Sequence, residues 1–117
     1  MCSQTIAVID DDALVLSATG SLLRSHGYVV RLFLSAEAFL DTDFSDVDCV
    51  LSDHRLPGRS GLDLLLHLRD HTPQFPVILL TAFRIPIIWQ RAKEYGALGI
   101  LEKPCSAEDL LALLEQI

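Results

Sequence analysis

Short apolar runs alternate with stretches of helical spacing along the whole chain. The runs are rich in Val, Ile and Leu and end at polar or turn residues, a pattern typical of buried strands. Leucines at helical spacing in the intervening stretches predict helices. The predicted strands are 5–9, 28–34, 48–52, 77–80 and 98–101. The predicted helices are 13–26, 36–41, one around Leu62–Arg69 that ends before Pro73, one from Pro86 to Gly96, and one after Ser106.

Residues that favour helix ends support these boundaries. Asp12 and Ser35 are natural N-caps, and Gly27 stands where a glycine commonly ends a helix. Ser106 with Asp109 three residues later is typical of a capping box. The chain is therefore divided into strand and helix in strict alternation.

Five strands that alternate with five helices predict a three-layer, doubly wound α/β fold. Each crossover must be right-handed and must bury its apolar stripe, so the five-stranded sheet is parallel and covered on both faces. The expected strand order is the flavodoxin-like 2-1-3-4-5. In that order, ligands bind outside the carboxyl ends of strands one and three.

Composition narrows the class of protein further. The 117 residues fit a single domain spanning 1–117, and a hydrophobic content of 50% with a mean hydropathy of +0.37 excludes intrinsic disorder. No apolar stretch is long enough to cross a membrane and no export signal is present, so we expect a cytoplasmic protein. A net charge of −7 argues against direct nucleic-acid binding. The three cysteines lie far apart, which predicts free thiols.

Charged or polar side chains stand where four of the predicted strands end. Two like charges about 4 Å apart repel by about 4 kcal/mol at an effective dielectric of about 20, so carboxylates gathered at this edge need cations. One lysine and one divalent ion would neutralise three carboxylates, and Mg²⁺ suits oxygen ligands best. These residues are Asp10, Asp11, Asp53, Thr81 and Lys103.

A magnesium site of this kind suits phosphate chemistry. Phosphoryl transfer depends mainly on positioning and charge neutralisation, and a carboxylate can serve as the nucleophile. Asp53 would attack the phosphorus atom while Lys103 and Thr81 contact the transferred oxygens. The expected product is an aspartyl phosphate.

The same motifs give the chain a close resemblance to the receiver domain of two-component response regulators. They are Val8–Asp12, Ser52–Pro57 with Gly61, Leu80–Ala82 and Glu102–Pro104, and together they span nearly the whole chain. The resemblance implies that a histidine kinase or phosphotransfer protein phosphorylates Asp53. It also implies that Asp10, Asp11, Asp53 and the backbone carbonyl of Arg55 hold Mg²⁺, that Thr81 and Lys103 bind the phosphate, and that a cis bond precedes Pro104.

The chain departs from the receiver pattern in three places. Ile100 stands where receivers usually carry an aromatic switch residue, and Cys105 replaces the usual phenylalanine after Lys-Pro. The run Ile87-Ile88-Trp89 covers about 200° of its helix, too wide for one buried stripe, so one or two of these residues should be exposed. The resemblance makes the surface of the fourth helix, fifth strand and fifth helix the output surface, for a partner or for a homodimer.

Two other functions remain open. Asp10–Asp12 also satisfies the Asp-x-Asp pattern of haloacid dehalogenase-like phosphohydrolases, with Asp10 as nucleophile. Alternatively, the chain is a receiver-like binding module that never takes phosphate and uses its Trp89 surface constitutively.

Several further residues carry weaker expectations. The ladder Asp63, His67 and His71 is expected to be a solvated face rather than a metal site, and His54 is expected to face solvent. His26 fits a helix C-terminus. Phe83 is expected to shield the acyl phosphate from water, so that Phe83→Ala would lose its phosphate faster.

Overall fold

Ten elements alternate along the chain as the sequence predicts. The structure is a computed structural model, and it describes residues 4–72, 75–82, 84–103 and 106–117. The strands are β1 (Thr5–Ile9), β2 (Val29–Phe33), β3 (Cys49–Asp53), β4 (Val77–Thr81) and β5 (Gly99–Glu102). The helices are α1 (Ala13–Ser25), α2 (Ala36–Leu40), α3 (Gly61–His71), α4 (Pro86–Glu94) and α5 (Ala107–Leu114).

The strands form one parallel sheet in the order β2-β1-β3-β4-β5, which confirms the predicted doubly wound fold. The order reverses between β1 and β3, where Ile9 pairs with Ser52. Asp10 and Asp53 each follow one residue later, so the carboxyl ends of these two strands bring both aspartates to the same edge. This is the edge at which a doubly wound sheet of this strand order is expected to bind ligands.

Two apolar layers cover the sheet. One packs α2, α3 and α4 against it through residues such as Phe39 and Leu65, and the other packs α1 and α5 through residues such as Leu23 and Leu114. The central strands β3 and β4 are buried along their whole length. Because both faces are covered, the strands read as continuous apolar runs rather than as alternating ones.

Side chains cap the N-termini of the helices as expected, and one further helix has a cap that was not predicted. Asp12 accepts hydrogen bonds from the backbone N–H groups of Leu14 and Val15, and Ser106 accepts one from Asp109. A complete capping box also forms at Ser60 and Asp63, ahead of α3. That box was not predicted from the sequence, and it stabilises the start of the helix that follows β3.

Candidate metal and phosphate site

Three carboxylates meet at the edge of the sheet between β1 and β3. Asp10 is 3% exposed and Asp53 is 9% exposed, whereas Asp11 is open to solvent. One carboxylate oxygen of each lies within 4.8 Å of those of the other two. Oxygen donors this close together, on a buried floor with one open side, match the ligand preference of a hard divalent cation.

Backbone hydrogen bonds fix this cluster. The N–H of Asp10 donates to the carbonyl of Phe33 at 3.1 Å, which extends the pairing of β1 with β2 by one residue. Asp10 Oδ1 then accepts from the N–H of Asp12 at 2.9 Å, and Asp53 Oδ1 accepts from the N–H of Arg55 at 3.3 Å. Both buried carboxylates are thus oriented by the chain that leaves their own strand.

Lys103 bridges the two buried carboxylates. Its Nζ lies 3.1 Å from Asp10 Oδ2 and 3.3 Å from Asp53 Oδ2. The backbone N–H of Lys103 donates to the carbonyl of Thr81 at 2.7 Å, so β4 holds the end of β5 in place. Thr81 itself is buried as the last residue of β4. The edge therefore assembles the carboxylates, the lysine and the threonine that the sequence predicted.

Burial and neighbouring charges shift the pKa values of Asp53 and Lys103. Burial raises the pKa of Asp53 above its ordinary value and repulsion from Asp10 adds to that effect, although Lys103 opposes it. Burial alone would lower the pKa of Lys103, but its hydrogen bonds and attraction to Asp10 and Asp53 raise it. The lysine thus stays charged, and it leaves net negative charge for a cation to neutralise.

Comparison with known proteins decides the family. The model of the response regulator receiver domain matches residues 6–115. The chain belongs to the response regulator receiver family. The transcriptional regulatory protein FixJ of Bradyrhizobium diazoefficiens is 38% identical over 111 residues, which cover 94% of this chain and 54% of FixJ. The response regulator TodT of Pseudomonas putida is 35% identical over 113 residues, which cover 96% of this chain and 50% of TodT.

Solved structures show the same fold. A receiver domain from Clostridium thermocellum superposes with a TM-score of 0.90 at 29% identity, covering 97% of this chain and 92% of its own. The structure described as FixJ-N gives 0.87 at 30% identity, covering 99% and 94%. This receiver spans about half the length of the curated relatives FixJ and TodT.

Several predicted residues lie away from the carboxylate cluster. Ile87, on α4, is 51% exposed, whereas Ile88 and Trp89 are half buried, in agreement with the predicted incomplete burial of that run. Ile100 is half buried within β5. The expectations for Phe83, Pro104, Cys105 and Cys2 fall outside the described residues.

Three weaker expectations have different outcomes. His54 is not simply solvent-facing: it is half buried and its Nδ1 is buried without a partner among the described residues, because its backbone is hydrogen-bonded to Leu80 of β4 and to Gly61 at the start of α3. His26 caps the end of α1, as predicted. Cys49 is a free, buried thiol, and burial raises its pKa to about 12.

The ladder on α3 is not arranged to hold a metal. Arg59 Nη1 lies 3.2 Å from His67 Nδ1, so that nitrogen accepts the hydrogen bond and the neutral ring carries its proton on Nε2. His71 Nδ1 lies 2.9 Å from the carbonyl of His67 and donates to it. Only one of the two rings is left with an acceptor nitrogen for a metal, and the guanidinium of Arg59 stands beside the other.

The sequence did not reveal one contact that holds the loop after Asp53. Glu37, in the first turn of α2, accepts a hydrogen bond from the N–H of Arg59 at 3.0 Å. Its carboxylate also lies against Gly58, where φ is +75°. The two partners are 22 residues apart, so no local pattern could have indicated the contact.

The raised pKa of Asp53 predicts a pH-dependent effect of Asp53→Asn. A carboxyl whose pKa rises on folding contributes its full stabilisation at pH values below its ordinary pKa of 3.8. This contribution is lost as the pH rises through the pKa of the folded state. Asparagine has no charge to bury. We expect Asp53→Asn to unfold at a higher urea concentration than the wild type at pH 7, without added metal, and the difference to vanish below pH 3.8.

The exposed Asp70 on α3 provides the matched control, since Asp70→Asn removes the same charge away from the cluster. Its effect should not follow this pH profile. A neutral-pH loss of stability in Asp53→Asn, or a difference that persists unchanged into acid, would contradict the expectation.

Proposed function

We propose that this receiver is a phosphorylation-controlled switch in which Asp53 is the phosphoacceptor. The observation that carries the proposal is the placement of Lys103 Nζ between Asp10 and Asp53, beside a third carboxylate, in a chain that belongs to the receiver family. The cluster concentrates negative charge around one lysine, and it presents that lysine where a transferred anion would sit. The donor is a phosphohistidine on a histidine kinase or a phosphotransfer protein.

In the proposed reaction, a carboxylate oxygen of Asp53 forms a bond to phosphorus. The phosphorus–nitrogen bond of the phosphohistidine breaks, and its electron pair leaves with the imidazole, which takes up a proton from water. Asp10, Asp11, Asp53 and the carbonyl of Arg55 would hold Mg²⁺, which supplies charge neutralisation of the phosphoryl oxygens. The chain accelerates only this transfer and the later hydrolysis, so we propose a switch rather than an enzyme with an external substrate.

Lys103 and Thr81 complete the proposed site. The ammonium group of Lys103 would exchange part of its contact with Asp53 for a phosphoryl oxygen, a charge-assisted hydrogen bond. The hydroxyl of Thr81 would bind another oxygen, and because Thr81 ends β4, its movement would pass to the segment before α4. This path connects the phosphate to the output surface.

We propose that the output surface comprises α4, β5 and α5. Ile85 and Ile87 are 38% and 51% exposed there, an apolar pair for which a partner or a second receiver would provide cover. Ile100, in β5, has neither a ring nor a hydroxyl to exchange between buried and exposed positions. We therefore propose that its side chain responds to the movement of Thr81 by repacking. Direct nucleic-acid binding by this part of the chain remains unexpected, given its net charge of −7.

We place the switch in the cytoplasm, in keeping with its family. Within the part of the chain that the structure describes, none of the helices has the length and apolar content to cross a bilayer.

A labelling experiment distinguishes the three functions. The receiver is incubated with acetyl phosphate and Mg²⁺, and the modified residue is mapped by mass spectrometry after reductive trapping of the acyl phosphate. Label on Asp53 that is absent in Asp53→Asn and retained in Asp70→Asn supports the switch. Label on Asp10 would favour the phosphohydrolase, and no label under saturating donor would favour a constitutive binding module.

A further inference from the structure

A cavity lies between α4 and β5 and shares no residue with the carboxylate cluster. Its volume is about 290 Å³, at the lower end of the range for small-molecule sites. Most of its wall is aliphatic, and Ala92 and Ile100 are part of that wall. Three side chains with N–H donors also line it, Arg84, Trp89 and Lys93. The cavity therefore combines an apolar wall with polar side chains that can only donate hydrogen bonds.

Neither cation of this cavity has a carboxylate partner among the described residues. Among the described residues, ion pairs involve Arg31 and Lys103, whereas neither Arg84 nor Lys93 lies within 4.0 Å of an acidic oxygen. This occurs in a chain with 16 acidic and only 9 basic residues, where partners are plentiful. The guanidinium of Arg84 instead lies 4.6 Å from the ring centroid of Trp89. In the part of the chain that the structure describes, no carboxylate thus neutralises the positive charge beside the cavity.

The indole of Trp89 adds an unsatisfied donor. Its Nε1 is buried and has no acceptor among the described residues. Buried donors are nearly always paired because an unmade hydrogen bond costs free energy, so an exception calls for an explanation. An acceptor that enters the cavity, with a small turn of the ring, would provide the missing bond.

We propose that this cavity binds a small organic acid with an apolar body. The carboxylate would lie between Arg84 and Lys93 and would accept from the Trp89 N–H, while its hydrocarbon part would pack against Ile100 and Ala92. Inorganic anions would leave the aliphatic wall uncovered, and neutral apolar molecules would leave the donors unpaired. The site requires both parts of the ligand.

Hexanoate is the probe, and Trp89 is the reporter because it is the only tryptophan of the chain. Titration is followed by tryptophan fluorescence and by calorimetry, at constant ionic strength and without Mg²⁺ or a phosphate donor, so the result is independent of the proposed switch. We expect saturable binding with half-saturation at about 1 mM, in the range for a ligand of this size. Acetate and 1-hexanol, which each carry one part of the ligand, should bind at least tenfold more weakly.

Two variants on the same helix provide the comparison. Lys93→Gln removes a lining charge and should weaken hexanoate binding about tenfold, as for loss of a charge-assisted hydrogen bond. Arg91→Gln removes the same charge from an exposed residue of α4 that does not line the cavity, and it should change the affinity by less than about twofold. Absence of saturation, equal binding of 1-hexanol, or equal effects of the two variants would overturn the proposal.

Discussion

Lys103→Gln is expected to slow phosphoryl uptake from acetyl phosphate by at least about 100-fold at saturating Mg²⁺. Lys103 Nζ contacts both Asp10 and Asp53, and loss of a preorganised donor to the transferred group typically costs a factor of about 10² to 10³. Glutamine retains part of the side-chain length but has no charge to balance the three carboxylates. The rate is measured as the appearance of the phosphorylated protein by intact-mass spectrometry.

The chain has one other lysine, Lys93, which is exposed on α4. Lys93→Gln makes the same chemical change away from the carboxylate cluster, so its uptake rate should stay within about twofold of the wild type. A Lys103→Gln protein that is folded by circular dichroism and takes up phosphate at the wild-type rate would remove Lys103 from the proposed mechanism.

Gly61→Ala is expected to lower the free energy of unfolding by about 3 kcal/mol, at the upper end for overpacking. A Cβ at this position would lie 2.6 Å from the carbonyl oxygen of Asp53 and 3.0 Å from Cα of His54. Both are backbone atoms at the end of β3 and cannot move aside as a flexible side chain would. Urea unfolding measures the loss, and a displaced β3 should also reduce Mg²⁺ affinity.

Gly20→Ala is the matched control. The nearest contact of its Cβ would be Leu32 Cδ2 at 3.1 Å, the end of a flexible side chain that is 36% exposed. The higher helix propensity of alanine offsets the steric cost of that contact, so the free energy of unfolding should stay within about 1 kcal/mol of the wild type. If both glycine variants lose similar stability, the close packing of α3 on the end of β3 is not the cause.

The candidate site was predictable to an unusual degree because its residues stand at strand ends. Asp10, Asp53, Thr81 and Lys103 each follow or end an apolar run, and parallel strands bring their carboxyl ends to one edge. The predicted strand boundaries were short by one residue at Asp53 and Thr81, because both residues were interpreted as site residues that follow their strands. The structure shows both as the last residues of their strands.

Side-chain environments away from that edge were less predictable. Strand alternation predicted a solvent-facing His54, but it could not show that the start of α3 packs beside this residue, so the predicted exposure was wrong. The contact of Glu37 with the loop at Gly58 and Arg59 joins residues far apart in the chain. Neither periodicity nor capping rules carry information on such contacts.

By itself, the order of apolar and polar residues determined the alternating elements, the parallel sheet and the edge at which the carboxylates gather, since these follow from local periodicity and the handedness of crossovers. Only the tertiary structure decided that Lys103 lies between Asp10 and Asp53, and that Arg84, Trp89 and Lys93 surround an aliphatic cavity. Those distances depend on how helices and strands distant in sequence pack together, and packing is a property of the whole fold.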